Sequence, residues 1–174
     1  MSVRSVLVTG AGGYLGSQLL PALKERSDEI GRIVAVDVRE TPADKRLPDV
    51  DYRVMDVRSA DLTGLFLETA PEVVVHLASI VTPGKDSTRE FEYSVDVLGT
   101  ENVLNACLAS GVGRIVVTSS GAAYGYHADN PAWIGEDWPV RGNEAFAYSH
   151  HKRLVEEMLA RWRVDHPQLQ QVVL

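Results

Sequence analysis

A tyrosine and a lysine stand four residues apart in the last part of the chain, at Tyr148 and Lys152. A free phenol loses its proton near pH ~10, which is too high for a base at neutral pH. A cation one helical turn away stabilises the phenolate and lowers that pKa, and residues four apart lie on one face of a helix. The spacing therefore suits proton transfer, although such a pair by itself is also common on ordinary helix surfaces.

A glycine-rich segment near the start of the chain has the features of a phosphate-binding loop. Residues 9–16 read T-G-A-G-G-Y-L-G, with Gly10, Gly13 and Gly16 three apart, between an apolar run at 6–8 and leucines at helical spacing. A strand that ends in a glycine turn and opens a helix lets the backbone approach a pyrophosphate, which the first N–H groups of the helix then bind. Since tight turns also collect glycine, the flanking elements carry this prediction.

An acid at the end of the next predicted strand extends this site. Asp37 closes the apolar run 33–36 and follows Gly16 by about 20 residues, the spacing at which a carboxylate accepts hydrogen bonds from the adenosine ribose. Its charge would repel a 2′-phosphate, so we expect NAD rather than NADP, although the nearby Arg39 guanidinium could accommodate a phosphate. The alternative interpretation is a surface acid at a strand end.

Six segments in order along the chain match the motifs of one family. They are T-G-x-x-G-x-x-G at 9–16, the acid–apolar pair Asp56-Val57, H-L-A-S at 76–79, G-T-x-N-V-L at 99–104, S-S-x-x-x-Y-G at 119–125 and Y-x-x-x-K at 148–152. On these segments, the chain resembles the extended short-chain dehydrogenase/reductase family, in its NAD-dependent epimerase/dehydratase branch. The resemblance covers nearly the whole chain, and no single motif carries it.

The resemblance implies roles for three side chains. Tyr148 exchanges a proton with a substrate hydroxyl or carbonyl group while a hydride moves to or from the nicotinamide, and Lys152 also holds the nicotinamide ribose. Ser120, four residues before Tyr124, hydrogen-bonds the same substrate oxygen. Together with the glycine loop and Asp37, the resemblance gives the expected cofactor contacts, which are Gly10, Gly12, Gly13, Tyr14, Leu15, Gly16, Asp37, Asp56, Val57, Leu77, Ala78, Ser79, Tyr148 and Lys152.

One position departs from the family's pattern. Three residues before the glycine of the G-T-x-N motif, the family has asparagine and this chain has Asp96. The family's asparagine helps to order the active-site helix and a proton relay. An aspartate could do this only if its partners are hydrogen-bond donors or if it is protonated, so Asp96 puts the relay in question but not the binding of the cofactor.

The predicted elements alternate between strands and helices, as in a parallel sheet with helices on both faces. Strands are expected near 3–9, 32–37, 51–55, 72–77, 113–119 and 169–174, and helices near 13–26, 60–69, 87–110 and 144–164. The predicted fold class is therefore α/β, a doubly wound parallel sheet (Rossmann fold) in three α/β/α layers. Ligands of such sheets bind beyond the carboxyl ends of the strands, where the pattern places Gly10, Asp37, Asp56, Ala78 and Ser120.

Composition narrows the classes of function. The 174 residues, 45% hydrophobic and 24% charged, suit one globular domain. The net charge of −7 argues against binding to nucleic acid or to an anionic membrane. No apolar run approaches the ~20 residues of a spanning helix, and the N-terminus shows no signal peptide pattern. The single Cys107 suits a cytoplasmic protein, and the five histidines lack zinc spacing, so we expect no metal.

We therefore expect residues 1–174 to form the NAD(P)-binding domain of a cytoplasmic epimerase, dehydratase or dehydrogenase, a homodimer when full-length. The resemblance implies a small-molecule substrate, most often a nucleotide sugar. One alternative is a non-catalytic dinucleotide-sensing or scaffold protein, and another is an NADPH-dependent carbonyl reductase, which Asp37 disfavours.

Two segments bear on the substrate. The segment 121–143 is predicted to be a loop, in which Trp133 and Trp138 either cover a substrate or anchor the loop. Residues 171–174 read as a strand being entered, and members of the family continue well beyond this point. We therefore expect the chain to be a fragment of a longer enzyme, with most substrate-selecting residues after Leu174.

Overall fold

The computed structural model describes residues 4–174, which form a six-stranded parallel sheet flanked by helices. The strands are β1 (Arg4–Thr9), β2 (Ile30–Asp37), β3 (Val50–Val54), β4 (Val73–His76), β5 (Arg114–Val117) and β6 (Gln170–Val173). The α-helices are α1 (Tyr14–Lys24), α2 (Leu62–Thr69), α3 (Arg89–Tyr93), α4 (Gly99–Ser110) and α5 (Ala147–Asp165). Short 3₁₀ turns occupy Ala43–Lys45 and Gly121–Tyr124. The predicted Rossmann-type sheet is confirmed.

The strand order is β3-β2-β1-β4-β5-β6, and all neighbouring strands are parallel. The chain therefore runs outward from β1 in one direction and from β4 in the other. This reversal opens a crevice at the carboxyl ends of β1 and β4, the position at which doubly wound sheets bind ligands. The predicted first strand included Val3, which lies outside the described residues.

The larger core lies on one face of the sheet, beneath α2, α4 and α5. Leu7, Val34 and Val74 are paired in register on adjacent strands, so their side chains point to the same face. They pack with Phe66 of α2 and Leu104 of α4 in one fully buried cluster, which also contains residues of α5. This cluster fixes α5, the helix that carries Tyr148 and Lys152.

A smaller core lies on the opposite face, beneath α1. Val6, Val8 and Ala35 alternate with the residues of the first core and pack against Leu20 of α1. Both faces of the central strands are thus covered, which explains why the strands are continuous apolar runs rather than alternating ones. This cluster fixes the helix that follows the glycine loop.

The helix predicted over 87–110 consists of three consecutive segments. A π-helical segment, Ser94–Leu98, separates α3 from α4. The Gly99 N–H donates to the Ser94 carbonyl, five residues back, and the Thr100 hydroxyl donates to the Asp96 carbonyl at 2.6 Å. That side-chain bond competes with the backbone ladder and accounts for the wider turn. Within residues 4–174, no helix is both long and apolar enough to cross a membrane.

Candidate active site

The predicted site residues lie at one edge of the sheet, where the strands end. Gly10 follows β1, Asp37 ends β2, Asp56 follows β3, Ala78 follows β4 and Ser120 follows β5. Because the strands are parallel, these five positions share an edge although they are scattered along the chain. The elements that follow each strand determine what the edge can bind.

The backbone of the glycine loop lies in direct contact with the backbone of the residues that follow β4. Gly10 has φ +68°, and a Cβ atom there would lie 2.6 Å from the Ala78 nitrogen, so the position requires glycine. The Gly13 N–H donates to the Gly10 carbonyl oxygen at 3.0 Å, which closes the turn. Gly16 abuts the Ala11 backbone so tightly that a side chain would not fit.

The start of α1 is open to an anion. Gly13 is the N-cap residue, with φ −76° and ψ 178°, and no side chain in residues 4–174 caps the helix. The first turn contains no acidic residue, and the Tyr14 and Leu15 side chains are exposed. The first N–H groups of a helix lack partners within it, and the helix dipole favours negative charge there. These features fit the pyrophosphate of a dinucleotide.

Asp37 is a fixed part of the loop rather than a surface acid. Its side chain is 8% exposed. The Gly12 N–H donates to Oδ2 at 2.9 Å, the Arg39 N–H donates to Oδ1 at 3.0 Å, and the Arg39 Nε lies 3.5 Å from Oδ1. A carboxylate has about four lone-pair sites, so Asp37 can still accept hydrogen bonds from the hydroxyl groups of a ribose.

A cavity of about 290 Å³ adjoins Gly12. It is lined in part by Ser17, Arg39, Lys45 and Tyr52. The two cations would attract a phosphate group, whereas the Asp37 carboxylate would repel it. The 2′-phosphate that distinguishes NADP from NAD would therefore meet one buried anion and two basic side chains at this end of the site.

The acid after β3 is already paired with a neighbour that sequence reasoning missed. The Arg58 guanidinium donates to Asp56 Oδ2 at 2.6 Å, and this bond holds the pKa of Asp56 below its ordinary value. The adjacent Val57 is buried. The Asn102 amide donates to the Val57 carbonyl at 2.7 Å and to the Ser59 carbonyl at 2.9 Å. The G-T-x-N motif therefore holds the loop after β3 in place.

The last residue of β4 links the glycine loop to the other half of the sheet. His76 Nδ1 lies 2.7 Å from the Thr9 hydroxyl, and Nε2 lies 3.0 Å from the Thr100 hydroxyl. Complete burial lowers the pKa of His76 to about 3, and the charge of Lys152 acts in the same direction. His76 is therefore a neutral bridge. The Ser79 hydroxyl is buried and has no hydrogen-bond partner among the described residues.

Ser120 lies at the start of the 3₁₀ turn after β5. Its Oγ accepts a hydrogen bond from the Ala122 N–H at 3.2 Å, which leaves the hydroxyl hydrogen available to a substrate oxygen. Ser149 of α5 donates to the Ala122 carbonyl at 2.7 Å and accepts from the Asn143 N–H at 2.9 Å. Ser149, which sequence reasoning missed, thus joins the Ser120 turn to the helix that carries Tyr148.

Tyr148 and Lys152 lie together on α5, as the spacing predicts. The Lys152 Nζ is 5.6 Å from the centre of the Tyr148 ring and donates to the Thr118 carbonyl at 2.9 Å. Burial lowers the pKa of the Lys152 ammonium group, while the Asp96 and Glu156 carboxylates act in the opposite direction. The ammonium group is therefore fixed between the end of β5 and the phenol.

An aromatic row adjoins Tyr148. The Phe146 ring centre lies 6.2 Å from that of Tyr148 and 6.0 Å from that of Tyr126, and both Phe146 and Tyr126 are exposed. In the same loop, Trp133 is 92% exposed, whereas the Arg141 guanidinium lies over the Trp138 ring at 5.9 Å. Trp138 thus packs within the loop, and the exposed row beside Tyr148 belongs to residues that the sequence did not single out.

This strand order, with a glycine loop after β1 and an acid at the end of β2, defines a dinucleotide-binding architecture. Comparison with known proteins is more specific. Residues 6–174 match the model of the NAD dependent epimerase/dehydratase family. The chain therefore belongs to this family, and the resemblance predicted from the six motifs is confirmed.

Individual relatives agree with the family match. The chain is 34% identical over 164 residues to the UDP-glucose 4-epimerase of Mycolicibacterium smegmatis, covering 90% of this chain and 50% of the relative. It is 31% identical over 164 residues to the sterol-4-alpha-carboxylate 3-dehydrogenase of Schizosaccharomyces pombe, covering 91% and 46%. The chain thus spans about half the length of the curated relatives it matches.

A solved structure gives the same answer for the fold. The Thermus thermophilus UDP-glucose 4-epimerase in complex with NAD superposes with a TM-score of 0.81 at 27% identity. The alignment covers 97% of this chain and 53% of that chain. The sheet and its helices therefore have the fold of about half of that epimerase.

Proposed function

We propose that residues 4–174 bind NAD along the carboxyl edge of the sheet. The start of α1 would hold the pyrophosphate, Asp37 the adenosine ribose, and Asp56 with Val57 the adenine. Leu77, Ala78 and Ser79 would line the middle of the cofactor, with Lys152 at the nicotinamide ribose. The observation that supports this most directly is the uncapped, acid-free start of α1 beside a buried Asp37.

The proposed chemistry is proton transfer at Tyr148 coupled to hydride transfer. When bound, NAD accepts a hydride from a substrate carbon and can return it. The Tyr148 phenolate oxygen takes the proton of the substrate hydroxyl as the carbonyl forms. The fixed Lys152 ammonium stabilises the phenolate, and the Ser120 hydroxyl donates to the same substrate oxygen. Tyr148 would return the proton to the same oxygen when an alcohol is regenerated, as an epimerase requires.

We propose a nucleotide sugar as the substrate and 4-epimerisation as the reaction of the whole protein. Support comes from the UDP-glucose 4-epimerases among the relatives, from the Tyr148–Lys152 pair on α5 and from Ser120 in the segment that follows β5. The presence of both Tyr148 and Lys152 also disfavours a non-catalytic sensor or scaffold protein. We further propose a cytoplasmic homodimer, which light scattering on the full-length protein would test.

The test is turnover by the full-length protein on a panel of nucleotide sugars, followed by product chromatography and by absorbance at the nicotinamide band. An epimerase converts one sugar to another without net accumulation of reduced cofactor. Conversion that Tyr148→Phe abolishes would support the proposal. Absence of any conversion of nucleotide sugars, with NAD bound, would contradict the proposed epimerisation.

A second candidate is net oxidation of a ring alcohol on an apolar molecule. The sterol dehydrogenase relative and the exposed Tyr126–Phe146 row beside Tyr148 favour it, because flat aromatic rings contact apolar ring systems well. The same assay with apolar ring alcohols added to the panel separates the two reactions, since a dehydrogenase accumulates reduced cofactor in proportion to product. A Phe146→Ala variant would then lose activity on the apolar alcohol preferentially.

A further inference from the structure

A buried acid and a buried histidine face each other behind Lys152. Asp96 lies in the π-helical segment and is 3% exposed, and His151 on α5 is 1% exposed. The Ile80 N–H donates to Asp96 Oδ1 at 2.8 Å, and His151 Nδ1 lies 3.4 Å from Oδ2. Each carboxylate oxygen therefore faces a nitrogen, and one of the two nitrogens belongs to the residue directly before Lys152.

The hydrogen-bonding groups determine which ring nitrogen of His151 carries hydrogen. When the Asp96 carboxyl group is ionised it only accepts hydrogen bonds, and His151 Nδ1 is then the donor. Nε2 is buried and has no partner among residues 4–174, and the Tyr93 ring packs against the imidazole with its centre 5.7 Å away. The imidazole is thus held in one orientation by Asp96 on one side and by an aromatic ring.

Asp96 and Lys152 also share a cavity. It has a volume of about 10 Å³ and is lined in part by Asp96, Lys152, His76, Ser79 and Thr118. A cavity of this size holds at most about one water molecule, so the carboxylate and the ammonium group face the same small space rather than bulk solvent. Other groups acting on Lys152 are the Glu156 carboxylate one turn along α5, the neutral His76 and the Tyr148 phenol.

We propose that Asp96 and His151 form a positioning pair for Lys152. His151 supplies the donor that allows an aspartate to occupy a position where the family has asparagine. The carboxyl group, held by His151 and by the Ile80 N–H, faces the small cavity that is also lined by Lys152, whose ammonium group the proposed proton transfer uses. This inference rests on the proposed function for the role of Lys152, but the contact between Asp96 and His151 can be tested without a substrate.

Four variants separate three properties, which are the hydrogen-bond donor on His151, the volume of the His151 side chain and the charge on Asp96. Asp96→Asn removes the charge and keeps hydrogen-bonding capacity. His151→Asn keeps a side-chain donor near the Nδ1 position, whereas His151→Leu keeps volume without a donor. The double variant Asp96→Asn with His151→Leu removes the carboxylate that needs the donor.

The first measurement is the pH titration of the Lys152 ammonium group by nitrogen-15 NMR of labelled lysine, in the full-length protein without NAD or substrate. This chain contains four lysines, and Lys152→Met identifies the signal. We expect Asp96→Asn to lower the midpoint of this titration, because a favourable negative charge is lost. An unchanged midpoint in a folded Asp96→Asn variant would overturn the pair, whatever the substrate proves to be.

The second test measures two properties of the same variants, the steady-state turnover and the thermal unfolding midpoint. We expect His151→Leu to lower kcat roughly tenfold with little change in KM, as loss of one hydrogen bond to a charged group predicts, and to lower Tm. His151→Asn should retain most of both, and the double variant should recover Tm relative to His151→Leu. Equal losses in His151→Asn and His151→Leu, or no recovery in the double variant, would contradict the proposal. If the unmodified protein turns over no sugar or sterol, the proposed function fails, while the NMR and Tm results still decide on the pair.

Discussion

Replacement of Gly13 by serine should raise stability and weaken NAD binding at the same time. Gly13 already has the extended backbone of an N-cap residue, and no side chain in the described part of the chain caps α1. Serine is a preferred N-cap residue whose hydroxyl accepts from a first-turn N–H, which is worth a few tenths of a kcal/mol over glycine. Since the extended backbone at Gly13 suits other residues, the smaller freedom of serine in the unfolded chain adds about 0.4–1 kcal/mol. A Cβ atom at Gly13 would meet only the Gly10 carbonyl oxygen, at 3.2 Å, so the fold can accept it with a small adjustment.

The same N–H groups are the ones that the pyrophosphate would use. The serine hydroxyl would occupy one of them, and the new side chain would take space next to the anion. A hydrogen bond to a charged group contributes about 1.5–3 kcal/mol, so the dissociation constant for NAD should rise roughly tenfold to a hundredfold. Thermal unfolding without NAD should shift upward by about 2–4 °C.

The assay is isothermal titration with NAD alongside thermal unfolding, with Gly64→Ala as the matched control. Gly64 lies in α2, and a Cβ atom there meets no atom within 4 Å. Alanine should therefore stabilise this helix by up to about 1 kcal/mol without changing NAD affinity. A folded Gly13→Ser protein that binds NAD as tightly as the Gly64→Ala protein would refute the assignment of the pyrophosphate to the start of α1.

Four other predictions follow from individual side chains. Asp37→Asn should narrow the preference for NAD over NADP in titrations, since the basic side chains lining the adjacent cavity would no longer be opposed. Tyr148→Phe should lower turnover of the full-length enzyme by about 10²–10⁴ while NAD affinity stays nearly constant. Asn102→Ala should cost about 1–3 kcal/mol in chemical denaturation, because it leaves the carbonyls after β3 without donors. Cys107 is fully buried and its pKa is raised to about 12, so a thiol reagent should label it only after unfolding.

The sequence predicted the sheet because its strands are short apolar runs between turn and helix signals. The run at 6–8 and its counterpart at 33–36 are buried on both faces. Short apolar runs of this kind, between turn and helix signals, favour buried parallel strands. The strand-end location of Gly10, Asp37 and Ser120 followed from the same alternation. Element ends were less certain, and α2 and α5 begin two and three residues after their predicted starts.

What the sequence did not reveal were contacts between residues distant in the chain. Ser149 reaches the Ala122 carbonyl, and His151 reaches Asp96 across 55 positions. Both residues occupy variable positions of the Y-x-x-x-K segment, and their partners are defined only once α5 packs beside the π-helical segment. The π-helical turn itself depends on the Thr100 hydroxyl and was read as continuous helix.

The two halves of the candidate site are held by different cores, and this bears on how the chain departs from its family's pattern. The glycine loop depends on α1 and the smaller core, whereas Tyr148 and Lys152 depend on α5 and the larger one. Asp96 belongs to the second half, where its oxygens face the Ile80 N–H and His151. The condition that an aspartate there needs donor partners is thus met within the half that would carry the proton transfer. A change of charge at Asp96 should therefore alter the titration of the Lys152 ammonium group rather than the binding of the pyrophosphate at the glycine loop.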